Sequence, residues 1–160
     1  MQHAASHAFL SSMLFEGRPD VPKDAKRAFE LAAAGAAMGC AHSKGAFGRC
    51  LVAGAGVAKD LEKGLALARE SAAAGSCFGQ VVVGFCYHQG LGVAQDYAEA
   101  VRLFRIAAAQ EYARAQCSLG FMFENGQGVA RNRAEAIRLY GLAAAQGLSE
   151  SVAALKRLGA

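Results

Sequence analysis

The chain has 160 residues, of which 37 are alanine, 19 glycine and 2 proline, with no tryptophan, 54% hydrophobic residues and 19% charged residues. That apolar content offsets the entropy of ordering and excludes a disordered tail, and so many small side chains require closely packed elements. The formal charge of +4 comes from 17 basic and 13 acidic residues scattered singly, which excludes the contiguous basic surface that nucleic acid requires.

No apolar run approaches the roughly 20 residues needed to cross a bilayer, and the start MQHAASH lacks the basic-then-apolar order of a signal peptide. A soluble, untargeted chain is expected, with neither membrane nor nucleic acid as a partner. The five cysteines (Cys40, Cys50, Cys77, Cys86 and Cys117) are odd in number and contain no C-x-x-C pair. Buried thiols in a reducing, cytoplasmic compartment follow from that pattern. Zinc needs four closely spaced ligands, and His3 with His7 is the only histidine pair at helical spacing. Neither a metal nor another cofactor is expected.

In chain order, a first helix carries Leu10, Ser11 and Leu14 and runs to the loop Gly17-Arg18-Pro19-Asp20-Val21. Asp24 then supplies an N-cap oxygen for a second helix with Ala28 and Leu31, which closes at Gly39. Residues 40–53 form the next helix, with Phe47, Gly48 and Leu51 on its stripe. Gly45 adds a second glycine there, so this helix is expected to be the least stable in the interior. It ends at Gly54-Ala55-Gly56-Val57, and Asp60 opens a helix with Gly64 and Leu67 that closes at Gly75.

The pattern then repeats. The helix 76–89 carries Val83, Gly84 and Tyr87 and ends at Gly90-Leu91-Gly92-Val93; the helix after Asp96 carries Ala100, Leu103, Phe104, Ala107 and Ala108. Glu111 stands where the closing glycine is expected. Ala115, Leu119, Gly120 and Phe123 follow, then Gly126-Gln127-Gly128-Val129, Asn132, Ala136, Leu139 and Gly147. The last helix, 149–159, has Leu155 and Lys156 in the slots of Leu119 and Gly120. The three G-x-G-V frames are 36 residues apart, and self-similarity at such a period marks a solenoid. Glycine recurring inside helices at 48, 84 and 120 requires close approach of a neighbouring helix.

This unit resembles the Sel1-like repeat, a relative of the tetratricopeptide repeat, with the pattern A-x3-L-G-x2-Y-x2-G-x-G-V-x2-D-x3-A-x6-A-A-x2-G. Residues 115–145 fit nearly position for position, and 79–109 almost as well. The resemblance implies an all-α, α/α solenoid, a right-handed superhelix of nine helices. It further implies a single domain over 1–160 with about four and a half repeats. Lys156 is incompatible with another helix docking closely, so 149–159 is expected to cap the array, whereas the start has no evident cap and further repeats are expected before it in a longer protein. The cysteine staple of the family's cysteine-rich branch falls on Ala73 with Val81 and Ala109 with Cys117 here. It is therefore absent, and the penicillin binding linked to that branch does not carry over.

No constellation for catalysis can be assembled. The serines lack a G-x-S-x-G context, and the G-x-G frames lack the third glycine, preceding strand and later acidic residue of a dinucleotide site. What remains is large residues outside the core stripe. By resemblance to tetratricopeptide arrays, first-helix positions line a concave surface, which here gives Phe15, His42, Arg49, Phe78, Val81, Phe85, His88, Gln89, Arg114, Phe121, Asn125 and Arg157. The expected function is a non-enzymatic scaffold or adaptor that binds a protein or peptide segment with apolar and acidic residues. The alternatives are a structural or oligomerisation segment of a longer multidomain protein and, by analogy with the cysteine-rich branch, a hydrolase.

Overall fold

The computed structural model describes the backbone from Gln2 to Ala160 and the side chains from Ala5 onward; His3, of the histidine pair above, lies outside the described side chains. The helices are α1 (Gln2–Glu16), α2 (Ala25–Ala37), α3 (Ala41–Ala53), α4 (Leu61–Ala73), α5 (Cys77–Gln89), α6 (Tyr97–Ala108), α7 (Ala113–Asn125), α8 (Arg133–Ala145) and α9 (Ser149–Leu158). Among the described residues there are nine helices and no strand, so the all-α solenoid expected from the repeat is the fold observed.

Local chemistry sets the helix ends. Asp24, Asp60, Asp96 and Asn132 each accept a hydrogen bond from the backbone N–H three residues on, at 2.9–3.0 Å. Each thus satisfies an orphan donor at the start of an even-numbered helix. Helices α3, α5 and α7 end on Gly54, Gly90 and Gly126 in the left-handed conformation. After α2, α4 and α8 the left-handed residue is Gly39, Gly75 or Gly147, and after α6 it is Glu111 at φ 59°. Among the described residues Glu111 is the only non-glycine residue with positive φ. Glu111→Gly is expected to stabilise the fold by about 0.5–1 kcal/mol, because the strain of a left-handed L-residue outweighs the added freedom of the unfolded chain. A chemical denaturation midpoint at or below that of the wild type would contradict this.

Packing follows the 36-residue register. An added Cβ at Gly48 would lie 2.6 Å from the carbonyl oxygen of Gly64, so α3 and α4 approach backbone to backbone. At Gly84 and Gly120 the space is filled differently: Phe104 and Tyr140 of the following helix lie over the glycine, with ring atoms 2.7 and 3.1 Å from a built Cβ. Ser11 occupies the same slot in α1, and its hydroxyl donates to the Ala28 carbonyl at 2.7 Å. Gly45 is needed for a separate crossing, because a Cβ there would lie 2.5 Å from the backbone nitrogen of Gly79. The helix-propensity cost of Gly45 is thus offset by a close α3–α5 contact.

Successive repeats are also tied by side-chain amides. Gln110 donates to the Gly75 carbonyl and to Gln80 Oε1; one period later Gln146 donates to the Glu111 carbonyl and to Gln116 Oε1. The five cysteines are free thiols: Cys50, Cys77 and Cys86 are buried, whereas Cys40 and Cys117 are half-buried. Burial pushes the Cys77 and Cys86 thiols up to about 11, which makes thiolate chemistry unfavourable at either.

Candidate functional site: a concave groove along the odd-numbered helices

The slot shared by Ser12, Arg49, Phe85, Phe121 and Arg157 recurs once on each odd-numbered helix. Phe85 and Phe121 hold its middle and are each 42% exposed. Both line a cavity of about 310 Å³, with His88, Gln89, Arg114, Cys117, Ser118, Tyr140 and Arg157, and Phe85 also borders one of about 120 Å³ lined by Phe15, Arg49, Val52, Val81 and Val82. Phe85, Arg114 and Ser118 belong to both cavities, so the two form one continuous groove.

Of the twelve residues expected on this surface, Phe15, Arg49, Val81, Phe85, His88, Gln89, Arg114, Phe121 and Arg157 therefore do line it. The other three do not. Phe78 is only 2% exposed; it stacks on Tyr112 with ring centroids 4.7 Å apart and meets the ring of Phe9 edge-on at 5.2 Å. It is a core residue, because α1 and the loop before α7 converge over the start of α5. His42 lies beside Phe9 and Phe78 in a separate cavity of about 260 Å³ near the loops that precede the odd-numbered helices, and burial lowers its pKa. Asn125 is exposed at the end of α7, donates to the Phe121 carbonyl and borders neither part of the groove. Val81 is buried and contributes the floor of the smaller cavity rather than a free contact.

The arginines are already engaged. Arg49 Nη1 donates to Glu16 Oε1 at 2.9 Å, Arg114 Nη1 to Glu150 Oε2 at 2.5 Å, and Arg157 holds Glu124 through both Nη atoms. Tyr140 adds a hydroxyl donated to Glu124 Oε2 at 2.8 Å. The Arg157 guanidinium, helped by that hydroxyl, holds the Glu124 carboxyl below the usual carboxylate range. Three cations thus meet three carboxylates, and the groove carries little net charge. One of these pairings has a sequence signal: Arg114 and Glu150 occupy the same slot of successive units, so opposite charges fall on neighbouring helices. Tyr112 and Tyr140 come from other slots and could not be placed in that way.

His88 is fixed rather than poised. Its Nε2 is 2.9 Å from Gln127 Oε1, its Nδ1 is 2.8 Å from Gln89 Nε2, and its ring meets that of Phe121 edge-on. Among the described residues no group of three or more His, Cys, Asp and Glu residues could hold a metal ion, and no helix is long and apolar enough to cross a membrane.

Paired helices stacked at a fixed period with a lined concave face define a helical repeat protein of the solenoid class. Sel1 repeats match residues 4–40, 45–76, 78–112 and 113–148, and the chain belongs to the Sel1 repeat family. It is similar in structure to a Sel1 repeat protein from Oxalobacter formigenes, with a TM-score of 0.65 and 26% identity over 96% of this chain and 62% of that one. It is also similar to c5321, a protective antigen present in uropathogenic Escherichia coli strains displaying an SLR fold, with a TM-score of 0.63 and 31% identity over 92% of this chain and 32% of that one. Helicobacter pylori cysteine rich protein B shares the fold at 19% identity, with a TM-score of 0.62 over 82% of this chain and 98% of that one. This chain therefore spans less than two thirds of the first two structures. No curated protein shows significant similarity to it. Sel1 repeats generally serve as protein–protein interaction modules and as non-enzymatic scaffolds.

Proposed function

We propose that this array is a non-enzymatic adaptor whose concave groove docks a polypeptide segment. The observation that carries the reading is the pair Phe85 and Phe121: one slot, one period apart, both half-exposed inside a continuous groove. Large aromatic side chains in a groove that excludes water supply most of the energy of a docking site. Gln89 and Ser118 provide polar contacts for a bound backbone beside them.

The pairing of Arg49, Arg114 and Arg157 with carboxylates narrows the ligand expected from sequence. A strongly acidic segment would have to displace Glu16, Glu124 and Glu150, so the groove suits a mainly apolar segment instead. The double substitution Phe85→Ala/Phe121→Ala is expected to remove partners captured by the wild type from native lysate. Folding stability should fall little, because half-exposed side chains bury less area than core ones. An unchanged set of partners would reject this face.

A further inference from the structure

On the reading that the groove binds polypeptide, its two cavities are not equivalent, and one slot of the repeat makes the difference. Ala32, Ala68, Phe104 and Tyr140 follow one another at 36-residue intervals on the even-numbered helices. Where the slot holds Ala68, α3 and α4 meet backbone to backbone at Gly48. Where it holds Phe104 or Tyr140, the ring lies over Gly84 or Gly120 and reaches the larger cavity from beneath. Those two rings are buried and form its floor, Phe85 and Phe121 are half-exposed beside it, and the His88 ring meets Phe121 edge-on. Rings from α5, α6, α7 and α8 thus surround one space of about 310 Å³. The cavity nearer α1 is about 120 Å³, with Val52, Val81 and Val82 among its walls.

The polar groups of the larger cavity are mostly committed. Arg114 and Arg157 hold Glu150 and Glu124, Tyr140 donates to Glu124, and both ring nitrogens of His88 meet glutamine side chains. With each cation matched by a carboxylate, a charged side chain would find no free counter-ion. The Ser118 hydroxyl has no partner among the described residues and lines both cavities, so it can accept one N–H or O–H from a ligand. A leucine or valine side chain would leave much of the space unfilled, and ring atoms without a neighbour forfeit their dispersion contacts. A flat aromatic group fills more of it and meets the surrounding rings in offset or edge-on geometry, which adds to the gain from buried area. Indole is the largest such side chain and carries a single N–H.

We propose that the larger cavity is an anchor pocket for one aromatic side chain of the bound polypeptide, tryptophan above all, with the indole N–H donated to Ser118.

The test uses the full chain and two synthetic hexapeptide libraries blocked at both ends, identical except that one fixed internal position is Trp in the first and Leu in the second. The best binders are resynthesised with Trp, Tyr, Phe or Leu at that position and titrated. The protein has no tryptophan, so indole emission reports the peptide alone, and it should shift to the blue on binding. Trp peptides are expected to bind about 10-fold more tightly than their Leu counterparts. Replacing Trp by benzothienylalanine, which puts sulfur in place of the N–H, should weaken binding about 3- to 10-fold, and Ser118→Ala should abolish that difference. Phe85→Leu/Phe121→Leu, which keeps apolar bulk but removes two rings, should shrink the preference for Trp while leaving Leu peptides nearly unaffected. Leu peptides that bind as tightly as Trp peptides would overturn the aromatic anchor and leave the groove reading standing. A preference for Trp that survives both Phe85→Leu/Phe121→Leu and Ser118→Ala would also overturn it, by placing the indole elsewhere. Failure of both libraries to yield a binder would overturn both readings.

Discussion

Gly79→Ala is expected to destabilise the protein by about 2–3 kcal/mol and to lower its melting temperature by about 5–10 °C. A Cβ on Gly79 would lie 2.4 Å from the Ala72 nitrogen and 2.5 Å from the Ala68 carbonyl oxygen, both backbone atoms of α4. On another side α3 is equally near, since a Cβ on Gly45 would lie 2.5 Å from the Gly79 nitrogen. Three helices therefore meet at one residue, and backbone cannot rotate aside as a side chain can. In a solenoid each unit is held by its neighbours, so opening this junction weakens the coupling between the halves of the array. A broader urea transition is expected along with the lower midpoint. Gly141→Ala is the control. It sits inside α8 with nothing within 4 Å of its built Cβ, and the better helix propensity of alanine is expected to stabilise by about 0.5–1 kcal/mol. Equal effects of the two substitutions would show that the three-helix junction is not tight.

Arg49→Ala is expected to cost more, about 3–5 kcal/mol. Its partner Glu16 has a side chain only 3% exposed, and truncating the arginine leaves that carboxylate buried with Ser12 as its remaining contact. Removing both charges in Glu16→Gln/Arg49→Gln should recover most of the loss, since the largest penalty is the uncompensated ion. A double-mutant cycle from urea denaturation separates this coupling from the lost packing of Arg49 on Phe15. A double variant no more stable than Arg49→Ala would show that the pair is not coupled. The outer pair offers a contrast. Arg157 is largely exposed, so its tie to Glu124 is expected to contribute about 1 kcal/mol or less and to weaken with salt.

Much of the architecture was legible because its causes are local. Asp24, Asp60, Asp96 and Asn132 cap helices through bonds that span three residues, and the closing glycines solve a backbone problem at one position. Period therefore predicted the nine helices and the slots that face one another. It predicted less about what fills each contact: Gly48 meets a backbone, whereas Gly84 and Gly120 are covered by Phe104 and Tyr140. Both solutions satisfy a rule that asks only for a small residue at that slot.

The site was legible in outline and not in detail. Sequence alone determined that the chain is a helical repeat array and that Phe85 and Phe121 share a slot outside the core stripe, because these follow from spacing. Only the tertiary structure decided that Phe78 is core while Phe85 is free, although both are phenylalanines on α5. The difference comes from long-range contacts: Phe9 of α1 packs on Phe78, and Ser12 of α1 meets Tyr112, 100 residues away in the chain. The arginines were settled in the same way. Their charge is a property of sequence, but which edge of Arg49 is spent on Glu16 and which is left unpartnered depends on how successive units wind around the groove.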